Sequence, residues 1–153
     1  MTTIDDSLSA HPFFTDLDPD LRRRLAACTQ PVSFPAEAAI LREGGAADRM
    51  FALTSGRVAV GVQTPGRGLQ VIETLQRGDI LGWSWLFAPY RWTFDAVAVK
   101  PVTALEVRIA CIRAVLDADP VAAASLYRNV GGVMAERLHS ARLRLLDIFG
   151  EGH

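Results

Sequence analysis

Six of the chain's twelve aromatic residues lie between Trp83 and Phe94, in a run reading Gly82-Trp83-Ser84-Trp85-Leu86-Phe87-Ala88-Pro89-Tyr90-Arg91-Trp92-Thr93-Phe94 that holds all three tryptophans. Large rings carry more burial energy and more shape than other side chains. A cluster of them around one cation, Arg91, and one hydroxyl, Ser84, suits non-covalent recognition of a ligand or partner. The competing use of the same rings is to plug the end of a barrel core. Glu73, Asp79 and Asp95 flank the run, and Asp95 is the best placed of the three to pair with Arg91 as an internal stand-in for a bound anion.

Other chemistry is poorly supplied. The three histidines, His11, His139 and His153, lie outside the central part of the chain, so they offer no ligand set for a metal enzyme built on strands. No serine or cysteine reads as a nucleophile with a plausible histidine base nearby in sequence, and catalysis is not expected. Cys28 and Cys111 show no metal-type spacing; they read as small core hydrophobes of a reducing compartment rather than a disulfide. Arg22, Arg23 and Arg24 are adjacent, but successive helix positions diverge by about 100°, so they read as a solvated face. With 16 basic and 17 acidic residues the chain has no global field to draw it onto nucleic acid or an anionic membrane. Neither a signal peptide nor a membrane-length apolar run appears, and a soluble, cytoplasmic protein is expected.

The elements that must position the aromatic run can be read from periodicity. Asp18-Pro19 supplies a cap and a first-turn proline for a helix over about Pro19 to Thr29. From Pro31 the period becomes two. Glycine turns recur at Gly44-Gly45, Gly56, Gly66 with Gly68, Gly78 and Gly82, as in an antiparallel sandwich or barrel. The clearest strands are Met50 to Thr54, Arg57 to Val62, Leu69 to Leu75, Phe94 to Val99 and Val102 to Val107. Ser55-Gly56 reads as a tight hairpin and Thr64 to Gly68 as a longer one with Arg67 at its tip. A short helix follows over Ile109 to Asp117. Asp119-Pro120 then repeats the aspartate-proline start and opens a long helix, Val121 to Ile148, with Met134, Leu138, Ala141, Leu145 and Ile148 on one seam. Gly131-Gly132 marks either a close packing contact or a bend in it, and the bend is the reading taken.

In this order, His11-Pro12-Phe13-Phe14, Phe34-Pro35-Ala36, Ile40-Leu41-Arg42-Glu43-Gly44, Asp48-Arg49-Met50-Phe51, Ser55-Gly56-Arg57-Val58 and Gly78-Asp79-Ile80-Leu81-Gly82 resemble the cyclic nucleotide-binding domain of the bacterial catabolite-activator type. The resemblance runs from about His11 to Phe149. It implies an all-β double-stranded β-helix, or jelly-roll, barrel of about eight strands with a short N-terminal and a long C-terminal helix. The divisions it implies are a flexible 1–10, a barrel domain with its N-terminal helix over 11–118, a dimerising helix over 119–149 and a tail over 150–153. In that family the segment after the glycine matching Gly82 is a phosphate-binding cassette, so the ligand-binding residues implied here are Gly82, Trp83, Ser84, Trp85, Leu86, Arg91 and Trp92. The cassette departs from the family at three places. The glutamate that holds the ribose is Trp83, the small residue before the matching leucine is Trp85, and the arginine position falls on Trp92, with Arg91 one residue away.

The function implied is a regulatory, ligand-sensing module that signals through its C-terminal helix to a partner protein. Cyclic AMP or cyclic GMP is the ligand the family suggests, with no other cofactor and no metal. A homodimer through the long helix is expected. The family's transcription factors carry a helix-turn-helix after that helix and this sequence stops at His153, so direct DNA binding is not expected, nor is a membrane partner. The alternative is a non-sensing interaction or dimerisation module whose pocket is plugged by its own tryptophans, since a pocket without the ribose-reading carboxylate loses its main means of discrimination.

Overall fold

A computed structural model of the chain describes residues 3–150. The first helix, α1 (Ile4–Ala10), occupies much of the stretch expected to be flexible. Its start is fixed by a reciprocal cap: the Asp6 amide donates to the Thr3 hydroxyl and the Thr3 amide to the Asp6 carboxylate. Leu8 on its inner face is fully buried, which ties the helix to the core. Next comes α2 (Pro19–Ala26), where Asp18 accepts from the Leu21 amide at 3.2 Å and Pro19 opens the first turn. It stops short of Thr29 because that residue already starts β1, Thr29–Phe34.

The remaining strands are β2 (Ala39–Leu41), β3 (Arg49–Thr64), β4 (Gly68–Gln76), β5 (Ile80–Leu81) and β6 (Asp95–Arg108). They form one antiparallel sheet in the order β1-β6-β3-β4, with β2 also on β6 and β5 also on β3. The count is six rather than about eight because β3 and β6 each run through what reads in sequence as two strands. Ser55-Gly56 is therefore no hairpin. It is a bulge inside β3, where the register against β6 shifts around Ser55, opposite Thr103. Gly56 has φ +92°, and a Cβ there would lie 2.2 Å from the Pro101 carbonyl oxygen, so the close strand approach requires glycine. The Thr64 to Gly68 turn does join β3 to β4, with the Arg67 amide donating to Thr64.

Two helices close the chain, α3 (Ile109–Ala118) and α4 (Pro120–Gly150). α3 buries Ile109, Ile112 and Leu116, and α4 buries Ala123, Leu126 and Val130. α4 runs unbroken through Gly131-Gly132, and a Cβ on either glycine would meet nothing within 4 Å. The pair marks neither an interruption nor a tight contact within the chain. Nor does the second half of α4 leave the barrel at once, since Arg144 donates to the Ile72 carbonyl of β4 at 2.6 Å.

The two cysteines are not the unpaired core hydrophobes that their sequence spacing suggests. Cys28 and Cys111 are joined in a disulfide across 83 residues, linking the end of the α2 region to α3. Their separation in sequence concealed a closeness that arises because β1 and β6 pair in register from Thr29 opposite Val107, which brings the two flanking helices together. No helix among the described residues is long and apolar enough to cross a membrane.

Candidate functional site

The aromatic run begins at Gly82, whose φ of +98° turns the chain out of β5. Ser84–Leu86 then makes a single 3₁₀ turn, and Tyr90 to Trp92 pairs with the segment around Gly45. The Trp92 amide donates to Gly45 at 2.8 Å, the Gly44 amide to Trp92 at 2.9 Å and the Ala47 amide to Tyr90 at 2.9 Å. In an extended segment neighbouring side chains take opposite faces. Trp92 points inward and is 6% exposed, while Arg91 is exposed and donates to the Gly44 carbonyl at 2.9 Å. Two glycines make room for the indole. A Cβ on Gly45 or Gly82 would lie 3.1 Å from a Trp92 ring carbon.

Inside this arrangement is a cavity of about 150 Å³. Leu41, Val60, Leu75, Leu81, Trp83, Trp92 and Phe94 give it apolar walls, and the hydroxyls of Ser84 and Thr93 bond to one another at 3.0 Å on its edge. Its charged groups are Glu73 of β4 and Arg137 of α4. Arg137 Nε is 3.5 Å from Glu73 Oε1, its guanidinium lies 5.0 Å from the centre of the Trp83 ring, and Nη2 donates to the Ile80 carbonyl. Burial pushes the Arg137 pKa down from the ordinary arginine value, with the charges of Glu73 and Asp79 partly restoring it. A guanidinium held this way remains charged at any physiological pH.

Of the residues singled out in sequence, Gly82, Trp83, Ser84 and Trp92 line the cavity. Trp85, Leu86 and Arg91 do not. Trp85 is 2% exposed and turns toward α3, where its carbonyl accepts from Arg113. With Leu86 it borders a separate groove formed with α3 and α4. Arg113 sits 4.7 Å from the centre of the Tyr90 ring and 6.0 Å from that of Trp85. Asp95 is no partner of Arg91 either: it accepts from the Glu43 amide at 2.6 Å. The internal ion pair exists, but between Glu73 and Arg137. Sequence reasoning missed Arg137 because it lies far along the chain from the aromatic run. The available signal was its place three positions after Met134 on a helix whose apolar face must meet the barrel.

The family model described as cyclic nucleotide-binding domain matches residues 31–119. The chain belongs to the cyclic nucleotide-binding domain family. A CRP-like cAMP-activated global transcriptional regulator of Mycobacterium tuberculosis is 26% identical to it over 145 residues, which is 95% of this chain and 63% of that protein. The chain therefore spans less than two-thirds of the curated relatives it matches. Among solved structures, a candidate cyclic nucleotide-binding protein from Geobacter metallireducens GS-15 superposes with a TM-score of 0.79 at 27% identity, covering 88% of this chain and 98% of that one. The N-terminal domain of a transcriptional regulator from Streptomyces coelicolor A3(2) gives 0.67 at 25% identity, covering 88% and 94%. These likenesses make the core a jelly roll of the cyclic nucleotide-binding type.

The cassette departs from the pattern that the resemblance implies. Trp83 takes the sequence position at which the resemblance implies a carboxylate, and Trp92, nearest the implied arginine position, is buried. Arg91 is committed to Gly44 outside the cavity. The Ser84–Leu86 turn is three residues long, too short to build an α-helical dipole.

Proposed function

We propose that the chain is a regulatory ligand-sensing module in which occupancy of the barrel cavity is read by α4 and passed to a partner protein, with α4 also joining two copies of the chain. One observation carries this reading: Arg137, a residue of α4, lines the cavity and rests on Trp83 and Glu73. A molecule entering the cavity must touch or displace that guanidinium, and with it the helix. A ligand moves such an equilibrium only by preferring one helix position over another, and a direct contact to α4 supplies the preference. The names of the relatives, transcriptional regulators and binding proteins, support a regulatory rather than a catalytic role. Among the described residues no histidine lines the cavity beside Ser84 and Thr93, and the reading includes no nucleophilic step. Cyclic AMP, which the M. tuberculosis relative's name gives as its activator, is the ligand the family suggests; the departures at Trp83, Arg91 and Trp92 weigh against it here.

The test is thermal melting and amide exchange of the purified chain with a panel of small metabolites that includes millimolar cyclic AMP and cyclic GMP. A ligand at a hundredfold excess over its Kd stabilises the fold by about 2.7 kcal/mol. The expected result is at least one compound that raises the melting point and changes exchange in α4 around Arg137. The second reading, a non-sensing dimerisation or interaction module, is favoured by the seating of Trp92 between Gly45 and Gly82. It predicts a fold of normal stability and no response to any compound.

A further inference from the structure

We propose that the cavity is a receptor for small aromatic monocarboxylates, with the acid held by Arg137 and the ring between Trp83, Trp92 and Phe94. The inference rests on the sensing reading and names its ligand class.

Size is the first constraint. The volume of about 150 Å³ falls below the roughly 300 to 1,000 Å³ of pockets for drug-sized ligands. An apolar cavity of about 150 Å³ is the kind that takes up benzene. One six-membered ring with a short acid arm matches it. A purine with its ribose and cyclic phosphate would extend beyond it. The walls are the second constraint. Rings stack or meet edge to face with other rings, and three of the lining side chains are aromatic.

Charge fixes the functional group. Arg137 and Glu73 are the charged groups of the lining, and their contact is long, 3.5 Å from Nε to Oε1, beyond the range of a strong charge-assisted hydrogen bond. The contacts to Glu73 and Ile80 use Nε and Nη2 and leave Nη1. Glu73 is thus the stand-in for an incoming carboxylate: a half-buried acid on the cavity wall that a ligand acid can replace on the guanidinium fork. A dianion such as a phosphate monoester would face a single arginine already shared with Glu73. The buried indole N–H of Trp83 has no acceptor among the described residues.

The test uses phenylacetate and indole-3-acetate as probes, with 2-phenylethanol as the neutral control and cyclic AMP and cyclic GMP for comparison. The readouts are melting point, calorimetry and tryptophan fluorescence. The expected result is saturable binding of at least one acid with a change in tryptophan emission, and at least tenfold weaker binding of the alcohol. Arg137→Met should lose the acid by tenfold or more, whereas Arg91→Ala should bind as the parent does. Glu73→Gln should tighten binding severalfold by removing the internal competitor. That gain cannot come from a damaged fold, which guards against Arg137→Met losing binding through instability. Binding of a cyclic nucleotide without either acid overturns this inference and leaves the sensing reading standing. Equal binding of acid and alcohol, or acid binding indifferent to Arg137 and Glu73, overturns the inference alone. Silence toward every compound in this and the wider panel overturns both.

Discussion

Trp92 and Arg91 are neighbours with opposite fates, and the reason is the pairing of their backbone with the segment around Gly45, which sends one side chain in and the next one out. Truncating the buried indole removes a large ring and opens a void, so Trp92→Ala should cost about 3 to 5 kcal/mol. Arg91→Ala, on the solvent side, should stay within about 0.5 kcal/mol of the parent. Urea titration of the two variants checks both, and a large loss for Arg91→Ala would contradict this placement. His11 gives a second prediction at this scale. It is 4% exposed, and its Nδ1 accepts from the Phe13 amide at 3.2 Å. Burial pushes its pKa below the ordinary histidine value, against the smaller raising effects of nearby Leu53 and Asp79 backbone and the Asp79 charge. The unfolded chain therefore takes up a proton below about pH 6.5 that the folded chain refuses. Stability is complete above that pH and falls as the pH drops toward the folded-state value. His11→Gln should flatten the slope below about pH 6.5 in pH-dependent denaturation, and an unchanged slope would assign the effect to other groups.

At the scale of elements, α4 carries a local conflict that the rest of the chain does not explain. Two adjacent glycines sit in the interior of a long helix with open space beside both. Each costs about 1 kcal/mol against alanine. Gly131→Ala and Gly132→Ala should each therefore stabilise the chain by up to that amount and raise its Tm by about 2 to 4 °C. Calorimetry decides, and a lower Tm for either would reveal a packing partner for the glycines outside the single chain. The starts of α2 and α4 were legible in sequence because their causes are local: Asp18-Pro19 and Asp119-Pro120 place a cap and a first-turn proline side by side. Strand limits were less so. Gly56 looks the same in sequence whether it turns a hairpin or relieves a bulge, and only the Pro101 carbonyl opposite distinguishes them. The aromatic half of the cavity lies in one contiguous run and could be read. Of the charged half, Glu73 could be noted beside the run but its pairing with Arg137 could not, because the two meet only when β4 and α4 pack and neither residue type has a spacing that announces the other. The disulfide has the same origin, being set by the register of β1 against β6.

For the whole molecule, the question is what covers the second half of α4. Leu138, Leu143, Leu145, Leu146 and Ile148 are each about half or more exposed, while Met134 one turn earlier still packs against the core. Arg137 and Arg144 meanwhile tie this half to β5 and β4 through the Ile80 and Ile72 carbonyls. The helix is thus tied to the barrel by its arginines while Leu138 and Leu145, each about 100° around from them, stay exposed, a pattern that invites a self-complementary contact. A two-fold pair of α4 helices would bring the Leu138, Leu145 and Ile148 positions together at coiled-coil spacing, and it would set the two Arg137 side chains in helices that share an interface. Ligand contact in one cavity would then bias the pairing of both chains. The expected outcome is a dimer in sedimentation equilibrium that Leu138→Glu with Leu145→Glu converts to a folded monomer. Because the exposed positions contribute little to the barrel, the double variant should keep its circular dichroism and its cavity. A parent chain that sediments as a monomer at high concentration would remove the dimer and leave α4 to dock directly on the partner protein.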